Sequence, residues 1–223
     1  MGLKALALHF VVITALSVPA FPAVAQSQTQ SDTVQIVGFG DSLMAGYQLP
    51  PNESYTAQLE AALKAEGLNV TITNAGVSGD TTSGGLSRID WSVPDGTQGV
   101  IVELGANDAL RGISPEQTQK NLDEMISRLK ARNIPVFLIG ILAPPNMGQD
   151  YADKFNPIYK ALADKYSLPL YPFFLDGVAT QKGLLLEDGM HPNEKGVETM
   201  VTNFMPVIEK ALKAEQKTGT SGG

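Results

Sequence analysis

Four short apolar or β-branched runs, separated by stretches of helical periodicity, restrict this chain to few architectures. They are Val34 to Phe39, Val70 to Thr73, Gly99 to Leu104 and Ile134 to Leu142. Strands with so few polar alternates are buried on both faces, as in a parallel sheet covered by helices on either side. Leu168 to Phe174 is a weaker fifth strand, because Pro169 and Pro172 confine it to an edge. Residues 54–66 place Tyr55, Leu59, Ala62 and Leu63 on one helical face, and Gly67 ends that helix. Ser114 reads as an N-cap before Pro115, with Gln117 in a capping-box position and Leu122, Met125, Ile126 and Leu129 on the buried face. Residues 152–166 read as one helix. A last helix after Asn193 carries Val197, Met200, Val201, Phe204, Met205, Ile208 and Leu212 on one side. The expected fold class is therefore α/β, a doubly wound parallel sheet of about five strands. A chain of 223 residues without internal repeats holds one such domain. Its expected bounds are 34–213, between a flexible lead-in (26–33) and a flexible tail (214–223).

The first 25 residues stand apart. Lys4 precedes an apolar run from Ala5 to Val18, and Ala23-Val24-Ala25 offers a small-x-small cleavage site. That order reads as a secretory signal peptide, too short to span a membrane as a stable anchor. The expectation is export to the periplasm or medium. Cleavage after Ala25 leaves a chain with 15 basic and 23 acidic residues. No basic stripe is present, which argues against nucleic acid as a partner. The chain has no cysteine, so a thiol nucleophile and Cys-ligated metal are excluded. Of its two histidines, His9 lies in the leader, which leaves His191 as the mature chain's single imidazole.

Ligands of open parallel sheets lie beyond the carboxyl ends of the strands. Four polar clusters fall there. Gly38-Phe39-Gly40-Asp41-Ser42 follows the first strand; Ser42 is either an exposed nucleophile at a helix start or only an N-cap. It does not sit in the Gly-x-Ser-x-Gly elbow of α/β-hydrolases. Asn74-Ala75-Gly76-Val77-Ser78-Gly79-Asp80-Thr81 follows the second strand; it is either a backbone N–H cradle or a simple turn. Gly105-Ala106-Asn107-Asp108 follows the third, where an Asn amide can face a developing oxyanion or bond its own loop. Asp188-Gly189-Met190-His191-Pro192-Asn193 places a carboxylate three residues before an imidazole, either as a base with its orienter or as a surface His beside a cap. Jointly the four supply the roles that acyl transfer demands: nucleophile, base, orienter and oxyanion donors.

In these blocks the chain resembles the SGNH hydrolases, also called GDSL esterases/lipases, over roughly residues 34–213. Gly40-Asp41-Ser42-Leu43, Asn74 to Gly79, Gly105 to Asp108 and Asp188 to Pro192 carry the resemblance, in order. It implies a three-layer flavodoxin-like fold and a Ser42, His191, Asp188 triad. The implied oxyanion hole consists of the Ser42 and Gly79 N–H groups and the Asn107 amide, and neither metal nor organic cofactor is needed. Ala109 to Gly112 and Ala143 to Gly148 are similar to the compact exported branch with arylesterase, acyl-CoA thioesterase and lysophospholipase activities. A small acyl ester or thioester is then the partner, and the chain is expected as a monomer or weak homo-oligomer. Asp41, Leu43, Asp108, Met147 and Leu185 are expected against the substrate. Residues 144–154 and 177–187 are expected to shape an acyl groove, with Met147, Leu184, Leu185 and Leu186 as lining, although the three leucines equally suit core packing. A carbohydrate acetyl-esterase on the same groups, and a non-catalytic binding module, are the alternative readings.

Overall fold

β1 (Val34–Gly40) lies in the sheet between β2 (Val70–Gly76) and β3 (Gly99–Val102), and β4 (Val136–Ile139) and β5 (Leu170–Tyr171) continue outward from β3. The computed structural model describes Met1 and residues 33–219. The expected signal peptide, nearly all of the lead-in and residues 220–223 lie outside the described residues.

All four pairings are parallel, in the order β2-β1-β3-β4-β5. Strand order reverses between β1 and β3, and a crevice opens at such a switch point beyond the strand ends. The expected parallel α/β sheet is thus observed, with five strands. Two helical layers cover it. α2 (Tyr55–Ala65) packs with α8 (Glu194–Gly219), and α5 (Pro115–Ala131) packs with α3 (Thr82–Ser92) and α7 (Ile158–Tyr166). The core lies between sheet and helices: Ile36, Phe39, Val100, Ile101, Val102, Leu138 and Ile139 are all at most 1% exposed.

Several boundaries differ from the sequence expectation. Pro157 splits the expected helix 152–166 into α6 (Gln149–Phe155) and α7, because proline has no N–H to continue the hydrogen bonding of the preceding turn. At the break, Asn156 Oδ1 accepts the Ala143 N–H at 2.8 Å. Ser114 caps α5 by accepting the Gln117 N–H at 3.2 Å. Among the described residues the Ser114 N–H does not donate back to Gln117, whose amide instead donates to Asn121 Oδ1 at 2.8 Å. The last helix runs to Gly219, into the expected tail 214–223. Lys213, Ala214, Glu215, Gln216 and Lys217 are strong helix formers, and Lys213 pairs with Glu209 one turn back. That helix also carries Pro206, which has no N–H for the preceding turn. Three helices had no counterpart in the periodicity: α1 (Ser42–Ala45), α3 and α4 (Ala106–Leu110).

The two outer strands are finished differently. β2 directs its Ile72 N–H at Glu60 Oε2 (2.7 Å) and its Gly76 N–H at Asn74 Oδ1 (2.9 Å), while Asn74 Nδ2 donates to Ala45 O of α1. β5 has two residues, with Pro169 before it and Pro172 after it.

Candidate active site

β1 ends at Gly40, and a β-carbon there would lie 2.5 Å from Glu103 Oε2 and 2.6 Å from Met44 Cβ. A residue without a side chain lets the strand exit closely beneath α1. Asp41 caps α1 by accepting the Leu43 N–H at 3.0 Å, and its own N–H donates to Glu103 Oε2 at 3.3 Å. Ser42 then opens the helix at 9% exposure. α1 is a single turn of four residues, so its dipole adds little. Whatever stabilises negative charge near Ser42 must be local donors.

The base is built on one turn. Leu186 N–H donates to His191 O at 2.7 Å, Gly189 N–H donates to Leu186 O at 3.0 Å, and Leu185 pairs with Pro192 across the hairpin. Asp188 Oδ1 accepts the N–H groups of Met190 (2.9 Å) and His191 (3.0 Å), which leaves Oδ2 to His191 Nδ1 at 2.6 Å. His191 Nε2 lies 2.8 Å from Ser42 Oγ, bridging 149 positions of sequence. The two backbone N–H groups, and then the imidazole, hold the Asp188 carboxyl down to about 2. An ionised carboxylate only accepts. Nδ1 therefore carries the proton and Nε2 is left to accept from the Ser42 hydroxyl. The Tyr47 ring packs against the imidazole, with centroids 4.3 Å apart.

Two further arms reach the same strand ends. Gly79 has φ +80°, a left-handed conformation that glycine adopts without cost, and its carbonyl accepts from Arg111 Nη2 at 2.7 Å. Among the described residues, neither the Ser42 nor the Gly79 N–H donates to another group. Asn107, near the start of α4, donates one amide proton to Asp41 Oδ2 at 3.1 Å and keeps a second. Burial pushes the Asp41 carboxyl up to about 6, opposed by the Leu43 N–H and the Asn107 amide. Burial, with the Asp41 charge beside it, also raises Glu103 well above the usual range.

Five residues were expected against the substrate, and the structure places them as follows. Asp41, Leu43 and Asp108 are buried, at 0%, 6% and 0% exposure. Asp41 is occupied by Leu43 and Asn107, and Leu43 belongs to the core. Asp108 accepts from Thr82 N–H at 2.8 Å, from the Thr82 hydroxyl and from Thr118 Oγ1 at 3.1 Å, so it staples α3, α4 and α5 together. Met147 is half-buried beside Gly112, whose built β-carbon would meet its Cε at 3.7 Å. Leu185 is half-buried, and both it and Leu184 pack on the core. Four residues of the site escaped the sequence reading of roles: Tyr47, Arg88, Glu103 and Arg111. The first gives no signal, because an exposed tyrosine after a short turn is ordinary. No group of three or more His, Asp or Glu among the described residues is placed to hold a metal ion.

The profile of the GDSL-like lipase/acylhydrolase family matches residues 39–198, from the exit of β1 through the Asp188–His191 turn into α8. The chain belongs to this family. Its GDSL-like relatives include an arylesterase of Vibrio mimicus, 40% identical over 81% of this chain and 90% of the relative. Another is the thioesterase 1/protease 1/lysophospholipase L1 of Escherichia coli strain K12, 37% identical over 78% of this chain and 82% of the relative. Among solved structures, AlinE4, a SGNH-hydrolase family esterase, superposes with a TM-score of 0.70 at 46% identity, covering 82% of this chain and 99% of that one. This GDSL-like chain thus has the SGNH-hydrolase fold.

Proposed function

We propose that the protein is a serine esterase that hydrolyses carboxylic ester or thioester bonds of small acyl substrates through Ser42, His191 and Asp188. The continuous relay from Asp188 Oδ2 to His191 Nδ1 (2.6 Å) and from His191 Nε2 to Ser42 Oγ (2.8 Å) carries this reading. His191 takes the Ser42 proton as the hydroxyl attacks the acyl carbonyl, and Asp188 stabilises the imidazolium that forms. The Ser42 and Gly79 N–H groups and the free proton of the Asn107 amide meet the oxyanion. His191 then gives its proton to the departing alcohol or thiol, and water attacks the acyl-Ser42 ester by the same route. Each named group comes from one chain, so a monomer suffices.

The relatives named arylesterase and thioesterase 1/protease 1/lysophospholipase L1 support testing both oxygen and sulfur esters. The purified protein should hydrolyse p-nitrophenyl esters and acyl thioesters across chains of two to sixteen carbons. Ser42→Ala should lower kcat by at least about 10³-fold. Undiminished hydrolysis in that variant would overturn the proposal. We also propose export: the charged start, apolar run and Ala23-Val24-Ala25 support cleavage after Ala25. Amino-terminal sequencing of secreted or periplasmic protein should begin at Gln26, and an intact Met1 terminus would contradict it.

A further inference from the structure

The proposed reaction requires three loops to hold still relative to one another: the β1 exit with Ser42, the β2–α3 loop with Gly79, and the start of α4 with Asn107. A buried arginine lies beneath the first two. Arg88, on α3, is 6% exposed. Its Nε donates to Asp80 Oδ2 at 2.7 Å, and Asp80 is the residue after Gly79. Its Nη2 donates to Gly40 O at 2.9 Å, two residues before Ser42. Its Nη1 donates to Ala75 O at 2.8 Å and to Ser92 Oγ at 3.3 Å. The guanidinium carbon lies 3.9 Å from the centroid of the Phe39 ring. One planar group thus ties the end of β1, the end of β2 and the loop beyond it.

Burying a guanidinium is costly, and a well-packed apolar residue often serves stability equally well. Charge pairing with Asp80 alone would also need only one of the three nitrogens. The use of all three, on acceptors from separate strand ends, fits a demand for geometry. We propose that Arg88 is a positioning residue that sets the spacing between the Ser42 and Gly79 N–H groups, and so the width of the oxyanion site. The inference rests on the serine-esterase reading above. Arg111 clamps the same loop from the other side through Gly79 O, and Asp41 links Ser42's turn to Asn107. Arg88 therefore completes a closed circuit of ties among the three donor arms. Lysine keeps the charge but offers a single nitrogen, which cannot span the three acceptors.

The test is steady-state kinetics on a p-nitrophenyl ester for Arg88→Lys, Asp80→Ala, Asn107→Ala and Ser42→Ala, with a thermal melt of each. Arg88→Lys should remain folded and lose about 10- to 100-fold in kcat, with KM within about threefold, because a misplacement near 1 Å costs that much. Combined with Asn107→Ala, the loss should be smaller than the product of the two single losses, since both act on one oxyanion. A kcat within twofold of the parent, a loss confined to KM, or fully multiplicative losses would overturn the inference. Should Arg88→Lys not fold, Asp80→Ala decides: it removes the acceptor and so cuts only the tie to the Gly79 side, and an unchanged kcat overturns the positioning role. An active Ser42→Ala would instead bring down the esterase reading itself, whereas an inactive Ser42→Ala beside a fully active Arg88→Lys removes only the role of Arg88.

Discussion

His191→Ala should lower kcat on a p-nitrophenyl ester by about 10⁴- to 10⁶-fold while KM changes by less than about threefold. The size of the effect follows from how little can replace the imidazole. The only other histidine in the sequence is His9, in the segment read as a leader. Among the described carboxylates, Asp188 lies behind the ring, and Asp41 is buried against Leu43 N–H and Asn107. Neither reaches Ser42 Oγ within hydrogen-bond distance. Asp188→Asn should cost less, about 10⁴-fold, because it leaves the imidazole in place but favours the wrong tautomer. Initial rates with added imidazole provide a second check, since a small base that fits the vacated space should restore part of the rate. A His191→Ala variant that keeps more than a tenth of parental kcat would show that another group takes the Ser42 proton.

The largest loss of stability should come from Asp108→Ala, roughly 3–5 kcal/mol, a lowering of Tm by about 10 °C or more in a domain of this size. The carboxylate is fully buried and accepts the Thr82 N–H, the Thr82 hydroxyl and the Thr118 hydroxyl. Asn121 Nδ2 joins the same cluster through Thr82 Oγ1 at 2.9 Å. Truncation strands these donors away from water, and each unpaired one costs about 1–3 kcal/mol. Asp108→Asn keeps one acceptor oxygen and should fall between the two. Urea unfolding of the three proteins separates this account from a substrate-binding role. Unchanged stability with an altered KM would restore the sequence expectation that Asp108 faces the substrate.

The contrast between Asp108 and Asp188 shows what sequence reasoning reaches. Asp188 and His191 are local, three positions apart on one turn, so their meeting can be anticipated from spacing. The partners of Asp108 lie 26 and 10 positions away, at the starts of two other helices. Read singly, Thr82, Asp108, Thr118 and Asn121 are polar residues that belong on a surface. Only the assembled fold makes them a buried cluster. β1 and β3 were legible because burial on both faces leaves a run of Val, Ile and Phe. α3 was not, since its inward face is Thr82, Gly85, Arg88 and Ile89 and contains no apolar stripe. Gly85 is needed there because a β-carbon would collide with Leu104 Cδ1. Ser42 and Asn107 were found through their place after strand ends, His191 through its spacing from Asp188, and Gly79 through the family resemblance. Tyr47 and Arg88 act through a ring face and through distant carbonyls, and neither interaction leaves a spacing to read.

The finish of the outer strands bears on how the protein behaves when crowded. A sheet margin with a free row of N–H and C=O groups templates its own growth, strand upon strand, into aggregates. Here Glu60 and Asn74 already satisfy the Ile72 and Gly76 donors on one margin, and two prolines bracket a two-residue strand on the other. A foreign strand gains few backbone bonds from either side. The surplus of acid over base, net −7 for the whole sequence, adds repulsion between copies. Concentrated solutions of the native chain are thereby guarded against filament growth, and removal of the Glu60 carboxylate would free the Ile72 donor on that margin.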